Sequence, residues 1–266
     1  MSDAASAQLA ASLPRSTQRT DSWWLQPAVT FAVLSAFVAY GLWRTFENAH
    51  YYSAPYLAPF YSPCLSLKCD HVTLPLVGNW FTLSPALLVL WAPVGIRLTC
   101  YYYRKAYYRS FWLAPPACAV PDAKRGYTGE TGFPLILQNI HRYFFYFARV
   151  VIGFLWWDAI QSFRFPSGPS TPTETSFGIG VGTIILVVNA SLLTLYSLSC
   201  HSCRHLCGGR LDLFSKHPLR YRLWKLVTPL NQRHTLIAWT SMFGVVIADY
   251  YVRLVSLGVI HDLRIL

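Results

Sequence analysis

Residues 178–199 read Gly-Ile-Gly-Val-Gly-Thr-Ile-Ile-Leu-Val-Val-Asn-Ala-Ser-Leu-Leu-Thr-Leu-Tyr-Ser-Leu-Ser, a run without a charged side chain. A helix needs about 20 consecutive, mostly apolar residues to cross a bilayer, and this run is long enough. Four further stretches of similar length and character lie at residues 24–43, 78–97, 144–163 and 235–256. The sequence therefore predicts an all-α integral membrane protein, a bundle of five transmembrane helices within one membrane domain, residues 23–266.

The composition of the whole chain supports this fold class. Of the 266 residues, 54% are hydrophobic and only 12% are charged, whereas about a quarter of the residues in a typical soluble domain are charged. The net charge of +11 comes from Lys and Arg residues that lie mostly between the apolar runs. Membrane topology explains such a distribution, so we expect no nucleic-acid partner.

The positions of Lys and Arg also predict the orientation. They concentrate between spans two and three and between spans four and five, while the other two connections carry few. Because positively charged loops stay in the cytoplasm, we expect a multi-pass plasma-membrane protein with a cytoplasmic N-terminus, cytoplasmic basic loops and the C-terminus outside. Residues 1–22 are expected to form a flexible cytoplasmic tail. In the outer loop, Cys64 and Cys69 are expected to form a disulfide, with a metal site that includes His71 as the alternative.

A dense set of metal-binding side chains follows the fourth span. Residues 200–209 read Cys-His-Ser-Cys-Arg-His-Leu-Cys-Gly-Gly. Cysteine and histidine bind zinc and iron–sulfur clusters, and histidine binds haem. If the helix continued through Cys207, the first two cysteines and the two histidines would fall on different faces, because successive residues turn by about 100°. Either the helix unwinds at Gly208–Gly209, or ligands come from elsewhere in the chain.

Seven residues on the predicted cytoplasmic side are the candidate metal ligands: Cys200, Cys203, His201, His205, Cys100, Cys118 and His234. Such donors suit a Rieske-type [2Fe–2S] cluster, in which two thiolates bind one iron and two imidazoles the other. They also suit a structural zinc site. None of the eight histidines lies in the interior of a predicted span, which disfavours a haem between transmembrane helices. A haem at the cytoplasmic rim stays open, on His141, His201, His205 or His234.

Several motifs resemble the membrane subunit of actinobacterial succinate dehydrogenase. They are Arg97-Leu-Thr-Cys-Tyr-Tyr-Tyr-Arg-Lys-Ala-Tyr-Tyr-Arg-Ser-Phe-Trp112, Pro115-Pro-Ala-Cys118, Cys-His-Ser-Cys-Arg-His at 200–205, Phe214-Ser-Lys-His-Pro218 and Leu-Asn-Gln-Arg-His ending at His234. The resemblance extends over nearly all of the chain after residue 20. It implies a complex with a flavoprotein subunit and an iron–sulfur subunit, which oxidises succinate to fumarate and reduces a quinone, expected to be menaquinone.

The resemblance also implies a cofactor. In this branch of the family the membrane subunit carries a Rieske-like [2Fe–2S] centre where relatives carry haem b. This chain has no dinucleotide-binding fingerprint and no ferredoxin-like run of cysteines, so the flavin and the other clusters belong to the partner subunits. Two alternatives remain: the same complex with haem b at the cytoplasmic rim, and a non-redox multi-span protein with a structural zinc site. Assembly into a higher oligomer is compatible with the resemblance.

A quinone site needs an apolar slot with a few hydrogen-bond donors, and quinone reduction consumes two protons. At the predicted cytoplasmic rim we expect the quinone to bind at Tyr103, Arg104, His141 and Arg142. Because aromatic residues gather at any membrane interface, an ordinary interfacial role is the alternative for the tyrosine.

Ionisable residues inside the predicted spans are functional candidates, since a charge within the bilayer is costly. Asp249 and Arg253 are four residues apart on one predicted helix and can pair locally, which favours a structural role. Asp158 is a candidate for a proton path at the outer face.

Overall fold

The computed structural model of the chain describes residues 17, 19–63, 87, 89–122, 132–133, 135–166, 174–209 and 211–266. Within these ranges the chain is mostly helical. The α-helices are α1 (Leu25–Glu47), α2 (Trp91–Thr99), α3 (Tyr101–Phe111), α4 (His141–Gln161), α5 (Val181–Ser199), α6 (His201–Gly208), α7 (Pro218–Gln232) and α8 (His234–Ser256). Two short antiparallel hairpins pair β1 (Tyr52–Ser53) with β2 (Tyr56–Leu57) and β3 (Arg164–Pro166) with β4 (Thr175–Phe177).

Four helices in the described ranges are long and apolar enough to cross a membrane: α1, α4 with the turn before it (Ile136–Gln161), α5 and α8. They lie on four of the five predicted stretches. Of the predicted span 78–97, the structure describes residue 87 and residues 89–97, which include most of α2. Cys64, Cys69, His71 and residues 1–16 lie outside the described residues.

The spans expose apolar side chains outward and pack small ones inward. In α1, Val29, Val38 and Leu42 are each more than half exposed, which suits contact with lipid. Helix α5 is central and packs against α4 and α8. At these contacts Ala190 of α5 and Ala248 of α8 are completely buried, because small residues let membrane helices approach closely.

Helices α2 and α5 each end at a cysteine in extended conformation. Helix α2 stops before Cys100 (ψ 128°) and α3 begins after it; α5 stops before Cys200 (ψ 140°) and α6 begins after it. At both breaks the cysteine N–H donates to the carbonyl three residues earlier, at 3.2 Å. The fourth span therefore does not continue through Cys207, and the break lies at Cys200 rather than at Gly208–Gly209.

At the opposite end of the bundle the charges pair differently from the expectation. Nε of Arg44 on α1 donates to Oδ2 of Asp249 at 2.7 Å, and both side chains are completely buried. Arg253 pairs instead with Glu47 at 2.8 Å. The expected local Asp249–Arg253 pair is wrong, because α1 presents a buried cation that requires a carboxylate. Asp158 is buried near this end, and its role in a proton path stays a prediction.

The C-terminal segment closes the same end. Oδ1 of Asp262 accepts the backbone N–H of Gly182 at 2.9 Å, in the first turn of α5. The hydroxyls of Tyr56 and Tyr251 both donate to this carboxylate at 2.6 Å. A Cβ at Gly182 would lie 2.6 Å from the ring of Tyr56. A carboxylate distant in sequence thus satisfies a free N–H group at the helix start, where negative charge is favoured.

Candidate metal centre

Two cysteine–histidine pairs form where the spanning helices end and begin. Nε2 of His141, the first residue of α4, lies 3.1 Å from Sγ of Cys200. Nε2 of His234, the first residue of α8, lies 3.4 Å from Sγ of Cys100. Cys100, Cys200 and His234 are almost completely buried. The tertiary fold therefore brings four metal-binding side chains from four separate segments to one end of the bundle.

The other ring nitrogen of each histidine meets a hydroxyl group. Nδ1 of His141 lies 2.8 Å from Oγ1 of Thr99, and Nδ1 of His234 lies 2.7 Å from Oγ of Ser199. The two hydroxyl residues directly precede the two cysteines. Thr99, next to Cys100, contacts the histidine that faces Cys200. Ser199, next to Cys200, contacts the histidine that faces Cys100.

The site repeats one sequence pattern. Residues 99–104 read Thr-Cys-Tyr-Tyr-Tyr-Arg and residues 199–204 read Ser-Cys-His-Ser-Cys-Arg: a hydroxyl residue, a cysteine, three residues and an arginine. A histidine that opens a spanning helix follows each copy, His141 after the first and His234 after the second. Each cysteine pairs with the histidine of the other copy. This repeat is the signal from which the two cysteines could have been found in the sequence.

The two pairs lie within electrostatic range of one another. Cys100 lies close enough to Cys200 for its charge to affect that thiol, and His141 and His201 lie close enough to His234 for their charges to affect that imidazole. Burial raises the pKa of the Cys200 thiol to about 11, so this thiol stays protonated at neutral pH unless a bound cation stabilises the thiolate. Metal binding at this site would therefore release protons.

Aromatic side chains enclose the site around His234. The ring of Tyr196 stacks on this imidazole with a centroid distance of 5.1 Å, and the ring of Tyr102 lies at 4.9 Å. The guanidinium of Arg97 lies 4.8 Å from the centre of the Tyr196 ring. These groups exclude water and bring a positive charge close to the paired residues.

Among the described residues, the other predicted metal ligands belong to no cysteine–histidine pair, although His201 lies within electrostatic range of His141 and His234. His201 and Cys118 are exposed. Cys203 is buried, and its Sγ accepts a weak hydrogen bond from Nη2 of Arg149 at 3.5 Å. His205 contacts Arg142. Of the seven predicted ligands, the structure brings together Cys100, Cys200 and His234, and it adds His141.

A cavity of about 170 Å³ opens beside the pairs. It is lined by Arg142, Ser202, His205, Leu206, Gly209 and Arg220. Arg142 follows the paired His141 directly, and Ser202 lies two residues after the paired Cys200. Nη2 of Arg142 donates to Nδ1 of His205 at 2.8 Å, so the proton of this imidazole sits on Nε2. The cavity thus combines three kinds of hydrogen-bond donor.

The four residues predicted to bind quinone occupy different places. Arg142 lines the cavity, and His141 belongs to a cysteine–histidine pair. Tyr103 is buried; its hydroxyl donates to the carbonyl of Ala238 at 2.5 Å and accepts from Arg97 at 2.7 Å. The guanidinium of Arg104 lies 4.8 Å from the centre of the Tyr101 ring.

The donor chemistry of the two pairs fits a two-iron cluster. Two thiols and two imidazoles are the ligands of a Rieske centre, and metal-binding histidines usually have their second nitrogen held by a neighbouring polar group. Within the described residues, no three His, Cys, Asp or Glu side chains gather around one point as a single ion would require. In number and type, the four donors match those of a Rieske centre, in which the two thiolates would bind one iron and the two imidazoles the other.

Comparisons with known proteins agree with the motifs. The family model described as "Actinobacterial succinate dehydrogenase subunit SdhC" matches residues 25–258. Among solved structures, the chain is similar to one in the "Mycobacterium smegmatis Sdh1 complex in the apo form", with 49% identity, a TM-score of 0.84 and coverage of 96% of this chain and 95% of that chain. The search of curated proteins gave no match. The resemblance inferred from the motifs is confirmed, and the chain belongs to the SdhC family of actinobacterial succinate dehydrogenase membrane-anchor subunits.

Proposed function

We propose that this membrane-anchor subunit of succinate dehydrogenase passes electrons to a quinone through a Rieske-type [2Fe–2S] cluster held by Cys100, Cys200, His141 and His234. The two cysteine–histidine pairs carry the proposal. They provide the complete donor set of such a cluster in a buried position, with the second nitrogen of each histidine fixed.

The electrons and protons released by succinate oxidation equal those that quinone reduction consumes. Oxidation of succinate to fumarate releases two electrons and two protons, and a quinone takes up two of each when it becomes a quinol. When bound, the cluster supplies transfer of one electron at a time. The thiols and imidazoles of this chain hold it, while Tyr196 and Tyr102 keep water from His234.

The flavoprotein and iron–sulfur subunits are proposed to dock at the end of the bundle that carries the pairs. Helices α3 and α7 belong to this end and expose cations such as Lys105, Arg222 and Lys225. A basic surface steers and orients an acidic protein partner. The positive-inside pattern of the same segments supports a cytoplasmic location for this end.

The quinone head group is proposed to bind in the cavity beside the pairs. Arg142 and Ser202 are close sequence neighbours of His141 and Cys200, so a ring in this cavity lies near the electron donor. Arg142, Ser202 and His205 offer donors to quinone carbonyl oxygens, whose basicity rises as electrons arrive. The Tyr103 hydroxyl is already bonded on both sides, which favours a supporting role.

Low-temperature EPR on the dithionite-reduced, detergent-purified complex tests the cluster. The wild type should give a signal with an average g-value typical of Rieske centres. His141→Ala and His234→Ala should each abolish it, while the matched His201→Ala/His205→Ala variant should keep it. A signal that survives in both single variants would rule out this ligand set. A wild type with a haem absorbance band, or with zinc and no additional iron, would select one of the two alternatives.

A further inference from the structure

We infer that Thr99 and Ser199 are positioning residues that fix the tautomer of His141 and His234, so that Nε2 of each imidazole binds iron and Nδ1 carries the proton. The inference rests on the proposed function, since it concerns how the proposed ligands bind.

The proton of the Thr99 hydroxyl is already committed. Thr99 Oγ1 donates to the carbonyl oxygen of Gly95 at 2.7 Å, and a hydroxyl has one proton to donate. Its second contact, with Nδ1 of His141 at 2.8 Å, can therefore be a hydrogen bond only if the nitrogen is the donor. Both contacts of the hydroxyl are hydrogen bonds when Nδ1 of His141 carries the proton.

The same reasoning holds on the other side of the site. Ser199 Oγ donates to the carbonyl oxygen of Tyr196 at 3.0 Å. In its contact with Nδ1 of His234 at 2.7 Å, Ser199 Oγ is therefore the acceptor and the ring N–H is the donor. In a neutral imidazole, a proton on Nδ1 leaves the lone pair on Nε2. Nε2 is the nitrogen that faces the cysteine in both pairs.

Position in the fold makes these two hydroxyls unusual. Thr45, Thr194 and Thr228 also donate to the carbonyl four residues earlier, a common contact within helices. Within the part of the chain that the structure describes, none of these three hydroxyls forms a hydrogen bond with a histidine. Thr99 and Ser199 are each the last residue of a helix and contact the first residue of another, so helix packing fixes both partners of the hydrogen bond.

Selective isotope labelling measures the inferred geometry directly. The complex is purified with histidine carrying ¹⁵N only at Nδ1 or only at Nε2, and pulsed EPR is recorded on the reduced cluster. Strong hyperfine coupling should come from the Nε2 label and weak coupling from the Nδ1 label. The opposite assignment would overturn the inference while leaving the cluster and its ligands intact. A wild type without any Rieske-type signal would overturn the proposed function as well.

Variants test whether the hydroxyls act through the imidazoles. Thr99→Val and Ser199→Ala should raise the midpoint potential, because a histidine that loses its acceptor becomes a poorer electron donor to iron. They should also weaken iron retention against a chelator by about 10- to 100-fold. Thr99→Ser and Ser199→Thr, which keep the hydroxyl, should behave like the wild type.

Thr240→Val on α8 is the matched control. Thr240 is exposed and donates to Leu236 O at 3.1 Å, so its loss should leave the potential and the iron retention unchanged. If Thr99→Val and Ser199→Ala match this control, the inference is wrong. If either variant loses the cluster completely, the hydroxyl-retaining replacement must restore it, and failure to do so overturns the inference too.

Discussion

Arg44 and Asp249 form a completely buried ion pair that joins the first and last spanning helices, with Nε 2.7 Å from Oδ2. The hydroxyl of Tyr40 donates to the same carboxylate oxygen at 2.6 Å. Loss of one partner from a buried pair leaves an uncompensated charge in a low-dielectric interior. A single substitution in this pair should therefore destabilise the end of the bundle that lies opposite the cysteine–histidine pairs.

Asp249→Leu should lower the free energy of unfolding by about 3–5 kcal/mol, whereas the double variant Arg44→Met/Asp249→Leu should recover most of this loss. Thermal unfolding of the detergent-purified complex measures both. Arg253→Gln is the control, since it also removes one partner of an ion pair. Because Arg253 and Glu47 are partly exposed, this substitution should lower the free energy of unfolding by only about 1 kcal/mol. Equal losses for the single and double variants would contradict a role for the buried charge.

Cys100→Ser and Cys200→Ser should each remove about two iron atoms and two acid-labile sulfides per complex, the content of one [2Fe–2S] cluster. Cys118→Ser and Cys203→Ser should retain them, because neither thiol belongs to a cysteine–histidine pair. Iron and sulfide analysis on purified complexes decides the matter. If Cys100→Ser or Cys200→Ser kept its iron and sulfide, or Cys118→Ser or Cys203→Ser lost them, the thiol ligands would be other than proposed.

Arg142→Gln should raise the KM for quinone by about 10- to 100-fold, since a charged hydrogen bond contributes about 1.5–3 kcal/mol. Succinate oxidation with an artificial electron acceptor should not change, because in the proposed complex the flavoprotein subunit carries out that step. Tyr103→Phe should leave the KM near the wild-type value and lower stability by about 1 kcal/mol. Arg164→Gln, at the far end of the bundle, is the charge-matched control. A KM effect confined to Tyr103→Phe would move the quinone away from the cavity.

The hydrogen bond between Tyr56 and Asp262 should make the stability of the protein sensitive to high pH. Burial, and then the hydrogen bond to Asp262, raise the pKa of Tyr56, so the folded protein favours the neutral phenol. Its stabilising contribution is complete below the unfolded pKa of about 10 and is lost as the pH rises toward the higher folded value. The unfolding temperature of the wild type should therefore fall more steeply above about pH 10 than that of Tyr56→Phe. Parallel slopes would show that this phenol does not titrate on unfolding.

The ligand set shows where reasoning from local sequence stops. The Cys-His-Ser-Cys-Arg-His stretch drew attention to His201 and His205 because they lie beside Cys200, yet the residue that reaches Cys200 is His141, at the start of another helix. Spacing along one helix could exclude a shared face, but it could not say which other helix supplies the missing donor. The repeated Thr/Ser-Cys-x-x-x-Arg pattern marks the two cysteines, but it does not say which histidine meets which cysteine.

The sequence by itself determined that this is a membrane protein of the SdhC family, and it located four spans that the structure forms. Hydropathy is summed over neighbouring residues, so it can be read from the sequence alone. A run of about 20 mostly apolar residues indicates a membrane-spanning helix. The tertiary structure decided that Arg44 rather than Arg253 neutralises Asp249, and that the cysteines at two helix breaks meet histidines from opposite copies of the repeat. Those pairings depend on which helices pack together, and packing is a property of the whole bundle rather than of any one segment.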